Sequence, residues 1–165
     1  MAVAARSALE KEPIQPIHLT EEFAMRKALV PVDGSAAAHR AVRHIVALAG
    51  FYPSLEAVLL NVQPEVDEWR VRRVLKKEEI EAMEESRGGD ALQQDSEVLK
   101  AAGVHFTPVV EIGPPAETIA KVARERGCDG IVMGTRGLGA VSSMLLGSVS
   151  SRVLQFSDLP ITLVK

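Results

Sequence analysis

Lys27-Ala28-Leu29-Val30-Pro31-Val32-Asp33-Gly34-Ser35 carries the chain from an apolar run into an abrupt turn. Residues 28–32 hold no polar or charged side chain, as expected of a strand covered on both faces. Pro31 is awkward there, because a central strand needs its amide; near the carboxyl end of the strand the missing bond costs least. Asp33-Gly34-Ser35 break the strand, and Ser35 is placed to cap a helix. Ala38, Ala41, Val42, Ile45, Val46 and Ala49 then recur at spacings of three and four, and Gly50 stops the run.

The same alternation continues to the last residue. Leu55 to Val62 is a second apolar strand, closed by Pro64. Trp69 to Ala102, rich in Glu, Lys, Arg and Ala, reads as helix, with Gly88-Gly89 expected to interrupt it and Asp90 to cap the second piece. Val104 to Ile112 is a third strand, Ala116 to Arg126 a helix opened by proline and closed by Gly127, and Ile131-Val132-Met133 a short fourth strand. A Gly-rich loop, a helix from about Ser148 and the strand Pro160 to Val164 complete the chain. Strands alternating with helices imply right-handed crossovers and a parallel sheet covered on both faces. Five strands with four crossovers fit a doubly wound α/β fold, which takes ligands beyond the carboxyl ends of its strands, where the winding reverses. Attention therefore falls on Asp33, Val62 and the segment after Met133. Residues 1–25, with Pro13, Pro16, Glu21 and Glu22, show no sustained period and read as an arm outside a domain spanning 26–165.

Composition excludes several classes. With 165 residues, 47% of them apolar, the chain fits one well-cored domain. The 19 Lys+Arg against 22 Asp+Glu leave no basic excess for a nucleic acid, and six aromatics (four Phe, one Trp, one Tyr) offer little to stack on bases. Cys128 is the lone cysteine, so no intrachain disulfide is possible and a reducing compartment is the natural expectation. No apolar run approaches the ~18 residues that would span a bilayer, and the N-terminus lacks the basic cluster and apolar core of a signal peptide. The expectation is a cytoplasmic protein without nucleic-acid or membrane partners.

The chemistry concentrates in Met133-Gly134-Thr135-Arg136-Gly137-Leu138-Gly139, which runs on to Leu145-Leu146 and Gly147-Ser148-Val149-Ser150. Glycines cluster where a strand ends, and a Gly-Ser pair precedes a helix. Glycines let a backbone approach an anion closely or reach positive φ. Free amides at a helix start aim N–H groups and the positive dipole end at it. The hydroxyls of Ser148 and Ser150 would add donors, and Arg136 charge. The plainer alternative is that Gly134, Gly137 and Gly139 only make turns and Ser148 only caps a helix. Neither the G-x-G-x-x-G fingerprint nor the G-K-[ST] of a Walker loop occurs in this segment.

Gly134-x2-Gly137-x9-Gly147-Ser148 resembles the nucleotide-binding signature of the universal stress protein family. The resemblance runs from about Arg26 to Lys165 and includes Leu29 to Ser35, the strand end Leu59-Leu60-Asn61-Val62 and the close Leu159-Pro160-Ile161-Thr162-Leu163-Val164. It implies a five-stranded sheet of order 3-2-1-4-5 and membership of the branch that binds ATP, with AMP, ADP or a cyclic nucleotide as other candidates. Carried over by position, Asp33 would meet the ribose or an adenine edge, and backbone around Pro31, Val32 and Val62 would frame the base. Gly134, beside Met133, and Gly137 would pass under the ribose and phosphates, and Gly147, Ser148, Val149 and Ser150 would hold the phosphate chain. A bulky residue at Gly134 or Gly137 is then expected to abolish binding and leave the fold intact. Mg2+ or Mn2+ would be held mainly by phosphate oxygens. The resemblance also implies a homodimer through the edge strand Ile161–Val164; separately, ATP is expected to order the Gly137 to Gly147 loop and so change the surface that a signalling partner sees.

Other residues read more simply. Asp33 has capping of the first helix as its alternative role. Trp69 is a packing residue, Cys128 is buried rather than reactive, and the charges from Arg70 to Arg87 form a solvated helix face. His39 and His44, five apart on one helix, do not make a metal pair, and His18 and His105 are isolated. A phosphorelay receiver would share an α/β fold, but Val109-Val110-Glu111-Ile112-Gly113 offers no acceptor aspartate. Phosphoryl transfer needs positioned charge, and the motif fixes no lysine, histidine or second carboxylate by the phosphates. A nucleotide-responsive binding module is therefore favoured, with a slow ATP hydrolase or nucleotidyl transferase as the alternative.

Overall fold

Alternate residues of the first strand serve two separate cores. Ala28, Val30 and Val32 pack with Ala41, Val42, Ile45 and Leu99 on one face of the sheet, while Leu29 packs with Ile119, Ala123, Ile131 and Val153 on the other. The second strand divides in the same way, Ala57 and Leu59 to the first core, Val58 and Leu60 to the second. This explains the unbroken apolar runs Ala28 to Val32 and Ala57 to Leu60. The computed structural model describes residues 25–64, 77–138 and 146–165, except the side chains of 77–85 and 87. The segments expected as an arm (1–24 of 1–25), Trp69, His18 and the loop residues 139–145 lie outside the described residues.

The described elements are β1 (Lys27–Pro31), α1 (Ala36–Ala49), β2 (Glu56–Gln63), α2 (Lys77–Ala101), β3 (His105–Ile112), α3 (Pro115–Glu125), β4 (Gly130–Gly134), α4 (Ser148–Phe156) and β5 (Ile161–Val164). All strand pairs are parallel and the order is β3-β2-β1-β4-β5, the doubly wound sheet expected from the alternation. The chain winds outward from β1 to β3 with α1 and α2 on one face, then returns past β1 to β4 and β5 with α3 and α4 on the other. The reversal lies between β1 and β4.

Pro31 sits where its missing amide does no harm. The Val32 amide donates to Leu60 C=O at 2.8 Å, so alternation turns the Pro31 nitrogen towards β4. The last partners on that side are Leu29 and Ile131, two residues earlier. The ladder has already run out, and the two strand ends part. At the opposite end of the sheet, Asp129 Oδ2 accepts from the amides of Arg26 and Lys27 at 2.8 and 2.7 Å, which ties the entry of β1 to the turn before β4.

One expectation is corrected. Gly88-Gly89 do not interrupt the second helix, and Asp90 caps nothing; α2 runs through all three residues to Ala101. Gly88, Leu92, Asp95 and Leu99 form one buried stripe at helical spacing. At Gly88 this helix lies directly against the sheet, since a Cβ there would lie 2.5 Å from Val110 Cγ1 and 3.2 Å from Asn61 Oδ1. The glycine that reads as a breaker is a close-approach residue. Gly89, on the exposed side, has nothing within 4 Å of a built Cβ. Cys128 lies in the second core, and burial pushes its thiol pKa up.

Two measurements check this packing. Gly89→Ala should stabilise the protein in urea unfolding by up to about 1 kcal/mol, the helix-propensity gain, whereas Gly88→Ala should destabilise it by about 1–3 kcal/mol through overpacking. Cys128 should resist alkylation at pH 8 in the native protein and react at the rate of a free thiol once urea unfolds it.

Candidate functional site

Where β1 and β4 part, their carboxyl ends and the start of α4 enclose a cleft of about 210 Å3. Pro31, Val32 and Asp33 line it from the end of β1, Val62 from β2, Met133 and Gly134 from β4, Arg136 and Gly137 from the following loop, and Val149 and Ser150 from α4. The structure thus brings ten of the twelve candidate residues to one place. Gly147 and Ser148 stand at the start of α4 outside the lining, Ser148 exposed. Ser35, Ala38, Pro115 and Ile119 also line the cleft and were not named from the sequence as site residues. Their apolar or capping character is explained by the helices they belong to, so spacing alone carries no signal of a second role.

Asp33 is the hub of the loops. Its Oδ1 accepts from the Ser35 amide at 3.0 Å, and its Oδ2 from the Leu138 amide at 3.1 Å, across 105 residues. The cap of α1 is Ser35, whose hydroxyl accepts from the Ala38 amide at 3.2 Å, so Asp33 is released from the capping role. Two backbone bonds use half of the roughly four acceptor positions of a carboxylate, leaving the remainder for a ligand's hydroxyl or amino donors. Arg136 is the cationic side chain in the lining; its Nε is buried with no partner among the described residues.

The glycines act through proximity rather than positive φ. Gly34, Gly103, Gly113 and Gly127 are the described glycines with positive φ; Gly134, Gly137 and Gly147 are not among them. At Gly134 a Cβ would lie 2.7 Å from both the carbonyl carbon and the Cβ of Ala37, so α1 packs directly on this backbone. The expectation that a bulky residue at Gly134 would spare the fold is therefore corrected: the clash is with helix backbone. At Gly137 a Cβ would run into Asp33 Oδ2, a side-chain atom that can move.

The start of α4 differs from a capped helix. Its N-cap is Gly147, with no side-chain cap bond, and the first helical bond is Ser151 N–H to Gly147 C=O at 3.0 Å. Ser148 therefore does not cap; it is the first helical residue. The Ser150 hydroxyl donates to Gly134 C=O at 3.0 Å, so it holds α4 against β4 and is not the free donor expected of it. The leading amides of α4 carry the positive end of the helix dipole beside the cleft, the usual environment for an anion.

Away from the cleft, His39 Nδ1 pairs with Asp95 Oδ1 at 2.6 Å and joins α1 to α2. Asp95 is 1% exposed, an interaction the sequence reading missed because the two residues are 56 apart. Among the described residues no group of three or more His, Cys, Asp or Glu side chains is arranged for a metal ion. No described helix is long and apolar enough to cross a membrane.

The fold and cleft define a class: doubly wound α/β proteins with a ligand cleft at the switch point of the sheet. A model of the Universal stress protein family matches residues 25–165. The chain belongs to the universal stress protein family. It is 31% identical over 147 residues to a universal stress protein of Methanocaldococcus jannaschii, covering 85% of this chain and 82% of that one. Another protein of that archaeon, of known structure, superposes with a TM-score of 0.76 at 29% identity, over 86% of this chain and 97% of its own. Two more distant structures share the fold. One is a universal stress protein in complex with cAMP (TM-score 0.62, 22% identity, 86% and 97% coverage). The other is a family protein from Arabidopsis thaliana with AMP bound (TM-score 0.59, 20% identity, 84% and 90% coverage).

Asp33→Ala should cost about 1–3 kcal/mol in denaturant unfolding, since two backbone amides lose a charged acceptor. It should also speed hydrogen exchange at the Leu138 amide.

Proposed function

We propose that this protein binds an adenine nucleotide, ATP foremost with ADP or AMP as alternatives, at the β1–β4 cleft, and acts as a nucleotide-responsive regulatory module. The observation that carries the reading is the convergence, in one cleft, of the start of α4, which has no side-chain cap, with the end of β1 where it no longer pairs with β4. An apolar slot floored by Val32, Val62 and Ile119 suits a flat base, and Asp33 suits ribose hydroxyls. The enclosed volume of about 210 Å3 is below the 300–1,000 Å3 typical of ligand pockets. It fits the nucleoside end, with the phosphates lying outward over Gly137, Gly147 and the amides of Ser148, Val149 and Ser150. The bound cAMP and AMP of the two distant neighbours support the ligand class.

The lining favours binding over catalysis. Arg136 and Asp33 are its charged side chains, and both Asp33 oxygens already hold backbone amides. Among the described residues of the lining, nothing else would orient a nucleophile or protonate a leaving group. Mg2+ or Mn2+ would be held mainly by phosphate oxygens and water. The same proposal includes a cytoplasmic location, a signalling partner, and a homodimer through β5, whose outer edge no described strand pairs and whose Leu163 is 36% exposed.

Titration calorimetry of the full chain should show one ATP per chain, lost in Gly137→Val with circular dichroism unchanged; retention of affinity would overturn the reading. Turnover of labelled ATP with magnesium should stay well below the ~1 s⁻¹ of working enzymes. Sedimentation should show a dimer that Leu163→Glu converts to monomer.

A further inference from the structure

At the carboxyl end of β2 a side chain takes over a bond that the ladder would otherwise make. Leu60 C=O accepts from the Val32 amide at 2.8 Å, and Gln63 C=O accepts from the Gly113 amide at 2.9 Å. Peptide groups alternate in direction along a strand, so those of Leu60 and Val62 turn towards β1 and those of Asn61 and Gln63 towards β3. One more ladder step would place the Val62 amide on Val32 C=O. The ladder does not take it: β1 ends at Pro31, paired with Leu60. Asn61 Nδ2 instead donates to Val32 C=O at 2.8 Å, while Asn61 Oδ1 accepts from Gln63 Nε2 at 2.6 Å. The carboxamide is 2% exposed, with both its ends in use. Gly88 of α2 closes over it.

We infer that Asn61 is a positioning residue for base recognition: by satisfying Val32 C=O with its side chain, it leaves the Val62 peptide unpaired and facing the cleft. Val62 lines that cleft. Its N–H and C=O, pointing the same way, present one donor and one acceptor to a ligand edge that carries a ring nitrogen beside an exocyclic amino group. The 6-amino end of adenine has that pattern, and inorganic polyphosphate has none. Asn61 itself touches no ligand; it acts through the backbone it holds. The inference rests on the nucleotide reading above and concerns the base, not the phosphates.

The test separates base-dependent from base-independent affinity. ATP and inorganic tripolyphosphate are titrated into the full-length wild type and into Asn61→Leu. The wild type should prefer ATP, and Asn61→Leu should cut that preference about tenfold, the size of one net hydrogen bond, with tripolyphosphate affinity unchanged. A merely structural role would weaken both compounds alike, and that result overturns the role of Asn61 while leaving the nucleotide reading intact. Binding of neither compound to the wild type overturns both. A second measurement needs no variant: in ligand-free wild type the Val62 amide should exchange hydrogen far faster than those of Val58 and Leu60, and ATP should protect it. Protection of Val62 equal to theirs before ligand is added would overturn the inference even if Asn61→Leu failed to fold.

Discussion

Everything at the cleft depends on the parting of β1 from β4 at Pro31. A sheet that stayed fully bonded to its carboxyl end would present a closed row of peptide groups at the switch point. Here β1 and β4 share partners only as far as Leu29 and Ile131, and the next β1 residue facing β4 has no amide to offer. The two strands therefore separate inside the described fold, not merely in its loops. Their exits run to opposite faces of the sheet, because α1 and α4 lie on opposite sides. A proline that would be destabilising elsewhere in a central strand is tolerated there because the ladder has already ended.

The residues around the opening do structural and ligand-facing work at once. Asp33 gathers the β1–α1 turn and the loop after β4 onto a single carboxylate, so the opening holds its shape before any ligand arrives. Ser150 spends its hydroxyl on Gly134 C=O and thereby fixes the start of α4 over the end of β4. The leading amides of α4 are then aimed by packing rather than by a cap. With Gly147 as its cap the helix start forgoes only about a few tenths of a kcal/mol relative to a capping side chain, and its leading amides stay open to a bound anion. Preorganisation of this kind lowers the cost of ordering on binding.

The fold was legible in the sequence because parallel sheets write an unusually plain pattern. Strands such as Leu55 to Val62 must be apolar on both faces, and α1 and α3 carry stripes at spacings of three and four. The cleft was legible in outline, since a doubly wound sheet fixes where ligands go and Gly-rich exits mark it. What the pattern concealed were reasons. Gly88-Gly89 read as a helix break, because sequence shows that glycine is present and not what lies against it. Gly134 read as a ligand contact, although Ala37 of α1 already demands its bare backbone. His39 read only as half of a histidine pair that holds no metal, for only the packing of α1 on α2 brings Asp95 to it. Short-range spacing reveals elements; it does not reveal which atoms of two elements collide or bond.

Gly88 shows how such hidden contacts tie the helix layer to the cleft. Its bare backbone lets α2 come down on Val110 and Asn61, and that covering keeps water from competing for the Asn61 carboxamide. A buried amide side chain with both ends bonded is held far more firmly than an exposed one, since each unmade bond would cost the full desolvation of its polar group. Asn61 passes that rigidity to Val32, the residue beside Asp33, and so to the opening itself. No described residue of the second helix lines the cleft, yet its approach at Gly88 bears on Asn61 and, through it, on the backbone groups of β1 and β2 there. A ligand reading those groups would be reading, at one remove, the fit between a glycine and a strand.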